Sequence, residues 1–380
     1  MNKPVYLDYN ATTPIDPEVV DEMLPYLWTH FGNPSSSYSI GRKSKDAVMR
    51  ARRQVADLIH AHPDEIIFTS GGTESNNMAI RGIAFANQEK GKHIISSMIE
   101  HPAVTEVCKY LETLGWEVTY VPVDHYGRVN PEEVGKAIRP DTVLITIMHA
   151  NNEVGTIQPL TEIGAIASKN RIIFHTDAAQ SVGKIEKDVE KSGIGLLSIA
   201  GHKLYAPKGI GALYIRKDIR IEKLIYGANQ EKGLRPGTEN VPFIVALGKA
   251  CEIAKRDLDK NQEHMYRMRE RLLNGLREKS GLAVSLNADL KNCLPNTLSI
   301  AFEKVDAHAL ASLVSNEVLL STGSACHADS VEISSVLDAM GVDLLTAAGT
   351  VRISTGKFTT EEEIDQAIQA ISEKAFRLLP

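Results

Sequence analysis

The sequence predicts an α/β protein with a mostly parallel central sheet and helices on both faces, followed by a smaller α+β domain. Between residues 65 and 215, short runs rich in β-branched residues alternate with stretches of helical periodicity, which is typical of strands joined by crossover helices. The runs are apolar enough to be covered on both faces, as parallel strands are. Beyond Gly281 the pattern changes to short strands, helices and loops.

Each element follows from its local pattern. A helix is predicted over residues 44–61, where apolar residues recur at helical spacing. The strands predicted after it are residues 65–69, 93–97, 117–121, 142–148, 171–176, 195–199 and 211–215. A helical region is predicted over residues 239–279, and then strands over 297–302 and 350–354 and helices over 307–315, 332–340 and 361–379. We place a large domain at residues 15–255 and a small domain at residues 1–14 and 256–380.

Composition excludes several classes of function. A net charge of −6 over 380 residues argues against a nucleic-acid binder, which needs a basic surface to neutralise phosphates. No run approaches the roughly 20 apolar residues of a membrane span. The first residues contain no apolar signal core, so we expect a cytoplasmic protein without a membrane partner.

The four cysteines are Cys108, Cys251, Cys293 and Cys326. They are widely separated and form no C-x-x-C pair, which argues against a disulfide framework or a zinc site. Cys108 and Cys251 fall in helical segments, where a buried and inert thiol is expected. Cys326 lies in a run of small residues, S-T-G-S-A-C-H, where we expect a mobile loop that brings a thiol to a substrate.

Polar side chains follow the predicted strands, at the edge of a parallel sheet where ligands bind. One strand runs into Asp177, Lys203 follows the next apolar run, and an earlier strand ends in T-S-G-G-T. Each has an ordinary interpretation as a buried ion pair, a surface lysine or a capped turn. In this order they match pyridoxal phosphate, which needs a lysine for its aldehyde, a carboxylate for its ring nitrogen and a glycine loop for its phosphate.

Other polar groups are candidates for the same site. His101 could stack on a ring or move protons, and Arg352 could clamp a carboxylate, although a structural histidine and a structural ion pair are the alternatives. Asn152 follows a strand and can hydrogen-bond a ring substituent. The polar loops at residues 9–14 and 31–37 could reach the site, or they are plain turns.

With these residues assembled, the chain resembles the cysteine desulfurases of the class V aminotransferases, which have fold type I of the pyridoxal phosphate enzymes. The resemblance covers nearly the whole chain. It is carried by Y-L-D-Y-N-A-T-T-P at 6–14, G-N-P-S-S at 32–36, F-T-S-G-G-T-E-S-N at 68–76, E-H at 100–101, N-N-E-V-G at 151–155, H-T-D-A-A-Q-S-V-G-K at 175–184, G-H-K at 201–203, R-P-G-T-E-N at 235–240 and S-T-G-S-A-C at 321–326.

The resemblance implies the residues that contact the cofactor. They are Gly72, Thr73, His101, Asn152, Asp177, Gln180, Ala200, His202, Lys203 and Thr238. Lys203 is expected to bind the aldehyde as a Schiff base, His101 to stack on the ring and transfer protons, and Asp177 to pair with the ring nitrogen. Thr238 is expected to reach the phosphate of a neighbouring subunit, which implies a homodimer with shared active sites.

The resemblance also implies the reaction, the conversion of L-cysteine to L-alanine. Arg352, Asn152 and Asn33 are expected to bind the substrate, and Cys326 to take its sulfur as a persulfide. The sulfur would then pass to an acceptor protein of iron–sulfur cluster assembly, tRNA thiolation or DNA thiolation.

Two residues depart from the family pattern, and other functions stay open. Ala200 stands where many relatives have a serine that contacts the phosphate, and Tyr38 stands where the usual residue is histidine. A selenocysteine lyase would use the same residues. A class V aminotransferase without sulfur transfer would not need the thiol of Cys326, and a non-catalytic partner protein would usually have lost Lys203 or Cys326.

Overall fold

The computed structural model describes residues 3–279, 281, 283–327 and 330–379, without the side chains of residues 324–327 and 330–332. In this part of the chain the strands are β1 (Val5–Tyr6), β2 (Ile66–Thr69), β3 (His93–Ser97), β4 (Glu117–Val121), β5 (Thr142–Thr146), β6 (Ile173–Asp177), β7 (Leu196–Ala200), β8 (Gly211–Ile215), β9 (Val284–Leu286), β10 (Thr297–Phe302), β11 (Val318–Leu319), β12 (Ser321–Thr322), β13 (Ser324–His327), β14 (Ser330–Ile333) and β15 (Thr350–Ser354). The helices are α1 (Pro17–Met23), α2 (Pro25–Trp28), α3 (Ser39–Leu58), α4 (Gly72–Asn87), α5 (Pro102–Glu112), α6 (Pro131–Lys136), α7 (Leu160–Lys169), α8 (Val241–Arg256), α9 (Leu258–Lys279), α10 (Ala307–Val314), α11 (Ser335–Ala339), α12 (Leu344–Ala348) and α13 (Glu361–Arg377).

The larger sheet has the order β2-β8-β7-β6-β5-β3-β4 among the described residues. Every neighbouring pair is parallel except the two that include β8. The connection from β7 to β8 spans residues 201–210 and contains only a single turn of 3-10 helix, which is too short for the crossover that a parallel pair needs. The mostly parallel sheet is therefore confirmed, and the carboxyl ends of β5, β6 and β7 meet at one edge.

A smaller antiparallel sheet in the described residues has the order β12-β15-β10-β9. Val5 and Leu7, near the start of the chain, are buried in one cluster with residues of α9, α10 and α13. The N-terminal segment thus packs on the C-terminal part of the chain. The division into a large domain at residues 15–255 and a small domain at residues 1–14 and 256–380 stays a prediction.

Helix α4 starts differently from helices such as α13. At α13, Thr360 and Glu363 cap the helix start reciprocally through their side chains. Helix α4 follows Gly71, which has a φ of +151° and provides no side-chain cap. The first backbone N–H groups of α4 are therefore left for a ligand.

Two predictions about the C-terminal part were wrong. The helix predicted over residues 332–340 is a strand, β14, as far as Ile333, and Ser334 then caps the shorter α11. The predicted loop around Cys326 is a strand, β13, paired with β14 so that Cys326 lies opposite Val331. The alternation of Val331 and Ile333 favours a strand, but only the pairing decides between strand and helix.

No helix of the described residues is long and apolar enough to cross a membrane.

Candidate active site

A cavity of about 310 Å³ opens at the carboxyl ends of the parallel strands. It is lined by predicted site residues from most of the length of the chain, namely Gly72, Thr73, His101, Asn152, Asp177, Gln180, Ala200, His202, Lys203 and Arg352. Asn10 and Ala11 line it too, so the polar loop at residues 9–14 reaches the site.

Three predicted residues are not part of this lining. Asn33 and Thr238 are exposed and lie outside the set of described residues that line the cavity. Cys326 lies on β13, but its side chain is outside the described residues. The roles of these three residues stay predictions.

Lys203 ends a single turn of 3-10 helix, Gly201–Lys203, directly after β7. Its Nζ donates to the backbone carbonyls of Asn10, at 2.6 Å, and Ala11, at 2.7 Å. Burial lowers the pKa of Lys203 to about 8, with a further contribution from Arg352, while the carboxylates of Asp8 and Asp177 oppose the change. A lysine with this pKa has far more neutral amine at pH 7 to 8 than an ordinary lysine, and the neutral amine is the form that attacks an aldehyde.

Asp177 ends β6 and is buried, with 6% of its surface exposed. One carboxylate oxygen accepts from Nδ2 of Asn76 at 2.7 Å, and the other accepts from the backbone N–H of Ala179 at 2.9 Å. Both donors are neutral, so the negative charge of Asp177 is oriented without being neutralised. A protonated ring nitrogen would supply the missing positive partner.

Asn76 was missed by the sequence analysis. It lies on α4, one turn after Thr73, and this spacing places both residues on the face of the helix that looks into the cavity. Its position within the T-E-S-N-N motif was the available signal.

The uncapped start of α4 and His202 form the end of the cavity that suits a phosphate. Burial lowers the pKa of His202 to about 4, and Lys203 adds to this effect, so the imidazole is neutral at pH 7. Its Nδ1 lies 3.2 Å from Oγ1 of Thr12. A Cβ at Gly72 would lie only 3.3 Å from the Cβ of Ala200, so a side chain here would narrow the space beside the helix start.

Ser198 does not replace the serine that the family pattern has at Ala200. Ser198 is fully buried, and its hydroxyl contacts Nε2 of His175 at 3.0 Å. It is absent from the cavity lining within the described part of the chain. The phosphate end therefore has one hydroxyl fewer than in the family pattern.

His101 is held in one orientation as the cap of α5. Its Nδ1 accepts from the backbone N–H of Ala103 at 3.0 Å, which leaves Nε2 as the ring nitrogen that can exchange a proton. Burial lowers the pKa of His101; Asp177 opposes this change and Lys203 adds to it. The neutral ring is the form suited to stacking and to accepting a proton.

Arg352, on β15, is oriented by an acidic partner that the sequence analysis did not identify. Its Nη2 donates to Asp8 at 2.8 Å and to the hydroxyl of Ser321 at 2.9 Å, and its Nη1 donates to the carbonyl of Asn152 at 3.1 Å. Its buried Nε has no hydrogen-bond partner among the described residues. A substrate carboxylate would provide an acceptor for that nitrogen.

Burial makes the other cysteines poor nucleophiles. Cys108, Cys251 and Cys293 are buried, and burial raises the pKa of Cys108 and of Cys293 to about 12. Burial also raises the pKa of Cys251 well above its ordinary value. Since only the thiolate is a good nucleophile, these cysteines are poor candidates for sulfur transfer.

The cavity fits pyridoxal phosphate at each of its reactive ends. It combines an amine of lowered pKa, a carboxylate held by neutral donors and an uncapped helix start. These groups match the aldehyde, the ring nitrogen and the phosphate of the cofactor. Together with the mostly parallel sheet, they define a pyridoxal phosphate enzyme of fold type I.

Comparison with known proteins specifies the family. The chain matches the aminotransferase class-V family over residues 5–367. The cysteine desulfurase IscS of Methanosarcina thermophila is 50% identical over 373 residues, which are 98% of this chain and 92% of that protein. The solved structure of a NifS-like protein is 41% identical, with a TM-score of 0.91, and the match covers 97% of this chain and 98% of the other. A structure described as SspA in complex with cysteine is 40% identical, with a TM-score of 0.82, and the match covers 94% of this chain and all (100%) of the other.

The chain therefore belongs to the class V aminotransferase family and, within it, to the cysteine desulfurases. This confirms the resemblance that its sequence motifs carry.

Proposed function

We propose that the protein converts L-cysteine to L-alanine and transfers the sulfur to Cys326 as a persulfide. In this reaction the C–S bond of the substrate breaks and an S–S bond forms to Cys326. The electron pair of the C–S bond stays with the substrate Cβ, which gains a proton. The carbon is thereby reduced, and the two sulfur atoms are oxidised to the persulfide. Bound pyridoxal phosphate supplies the electron sink that makes this bond cleavage accessible.

Substrate binding and proton transfer are assigned to different residues of the chain. Arg352 binds the substrate carboxylate through its free Nε, and Asp8 holds the guanidinium in place. Lys203 removes and returns the proton at the substrate Cα, which its lowered pKa favours near neutral pH. His101 exchanges protons through Nε2, the nitrogen that does not cap α5.

The observation that carries this proposal is the link between Arg352 and the strand of Cys326. Ser321 contacts both Asp8 and Arg352 at the cavity, and β12 pairs with β15 so that Ser321 lies opposite Arg352. Cys326 is the fifth residue after Ser321, and five residues of extended chain reach at most about 17 Å. The backbone of Cys326 therefore cannot lie farther than this from Ser321, which supports a role for Cys326 at the same site.

The test is persulfide mapping after incubation of the purified protein with L-cysteine. We expect alanine to form and the extra sulfur to be found on Cys326, while Cys326→Ser loses both signals. Cys293→Ser is the matched control and should keep both. Extra sulfur on Cys108, Cys251 or Cys293 would refute the assignment.

The same variant separates the other candidate functions. An aminotransferase would keep full activity in an amino-acid and keto-acid exchange after Cys326→Ser. A selenocysteine lyase would keep alanine formation from selenocysteine while losing it from cysteine.

We also propose a homodimer that shares its active sites and delivers sulfur to an acceptor protein. Thr238 is exposed and does not line the cavity of its own chain. Both properties are expected of a residue that contacts the cofactor of a neighbouring subunit. The acceptors that we propose are proteins of iron–sulfur cluster assembly or of tRNA or DNA thiolation. A cytoplasmic location is part of the same proposal.

A further inference from the structure

Lys184 is a buried lysine beside the cavity, with only 6% of its surface exposed. Its Nζ donates to Oε1 of Gln180 and to Oδ1 of Asn10, each at 3.1 Å. Within the described residues it forms no ion pair with a carboxylate. Burial, together with the nearby charges of Lys203 and Arg352, lowers the pKa of Lys184 to about 7. Burying an amine between two neutral carbonyl groups is costly, so a reason for its presence is needed.

The two hydrogen bonds from Lys184 determine how the amide of Gln180 is turned. With Oε1 facing Lys184, Nε2 of Gln180 donates to the backbone carbonyl of Asn10 at 2.9 Å. The same carbonyl oxygen accepts from Nζ of Lys203 at 2.6 Å. A flipped amide would place two carbonyl oxygens against each other and turn two donors toward each other, so both contacts would become repulsive.

The same lysine also orients Asn10. Because Oδ1 of Asn10 accepts from Lys184, its Nδ2 is free to donate to Oγ1 of Thr297 at 2.8 Å and to the carbonyl of Asn152 at 3.2 Å. Both amides therefore turn their oxygen atoms toward Lys184 and their nitrogen atoms away from it. Either protonation state of the amine can donate these hydrogen bonds.

We propose that Lys184 is a positioning residue that fixes the amides of Gln180 and Asn10, so that Gln180 presents an N–H donor to the cofactor cavity. The proposal rests on the proposed function and on the contact with the cofactor that the family resemblance implies for Gln180, on the side of the ring hydroxyl. A donor stabilises negative charge on that oxygen, whereas an amide oxygen in the same place would repel it. Lys184 acts through Gln180 and does not itself line the cavity.

A purely structural role makes a different prediction. Lys184 would then only hold the N-terminal segment against the large sheet, and its removal would lower thermal stability without a specific effect on the cofactor. The two roles separate in a double-mutant cycle of Lys184→Met and Gln180→Met in the full chain, with the dissociation constant for pyridoxal phosphate and the absorption maximum of the bound cofactor as readouts.

We expect Lys184→Met to raise the dissociation constant about tenfold when Gln180 is present, as loss of one charge-assisted hydrogen bond would. In the Gln180→Met background the same change should have little effect, and only the variants that retain Gln180 should show a shifted absorption maximum on loss of Lys184. Lys187→Met is the matched control, because Lys187 is also buried, at 7% exposed, and does not line the cavity among the described residues.

The proposal would be overturned if the two substitutions had additive effects on the free energy of pyridoxal phosphate binding. So would a fall in the thermal midpoint of the cofactor-free protein with no change in cofactor affinity or absorption. If Lys184→Met does not fold, the same cycle is run with Lys184→Gln, whose shorter side chain can hold at most one of the two amides. Its coupling with Gln180→Met should then be smaller than for methionine but not zero, and additive effects would still overturn the proposal. Cofactor affinity and absorption are measured without the substrate L-cysteine. Their outcome is therefore independent of whether sulfur transfer to Cys326 is confirmed.

Discussion

Replacing Asn10 with alanine removes four side-chain hydrogen bonds at one buried position. Nδ2 of Asn10 donates to Asn152 and Thr297, and Oδ1 accepts from Lys184 and Asn296. A hydrogen bond of this kind contributes roughly 0.5–1.5 kcal/mol, and the buried partners left without Asn10 add a desolvation cost. We therefore expect Asn10→Ala to lower the free energy of unfolding by about 3 kcal/mol.

The assay is a urea titration of the cofactor-free protein, followed by both circular dichroism and intrinsic fluorescence. Asn87→Ala is the matched control, because Asn87 is also buried, at 7% exposed, but its hydrogen bonds are local, to Ile83 and Lys90. It should cost about 1 kcal/mol. An Asn10→Ala variant no less stable than Asn87→Ala would show that Asn10 does not join the N-terminal segment to the rest of the protein.

Two further predictions concern the reacting groups. In the cofactor-free protein, the rate at which an amine reagent labels Lys203 should titrate with a midpoint near 8, and Asp177→Asn should lower the midpoint, because the carboxylate raises the pKa; a midpoint near the ordinary lysine value of about 10.4 would contradict this. Arg352→Lys should raise the KM for cysteine about tenfold and change kcat less, because lysine cannot keep the contacts to Asp8 and Asn152 and also provide the Nε–H donor that is free for the carboxylate; steady-state kinetics in which only kcat falls would refute it.

Local pattern was sufficient to predict the framework and its reactive groups. The strands of the larger sheet follow from apolar, β-branched runs, and the ends of these strands identified Asp177 and Lys203. The prediction of a loop for the small-residue segment around Cys326 was wrong. Its strand depends on pairing between β13 and β14, which short-range composition does not determine.

The sequence by itself therefore determined the α/β class, the order of the motifs and the cofactor chemistry, because periodicity, turn residues and strand ends are local properties of the chain. Only the tertiary structure decided what holds the reactive groups in place. Asp8 meets Arg352 across 344 residues of chain, and Asn10 meets Thr297 across 287. Such contacts form when the N-terminal segment packs across both sheets, and no local pattern records which distant partner a buried polar group will find.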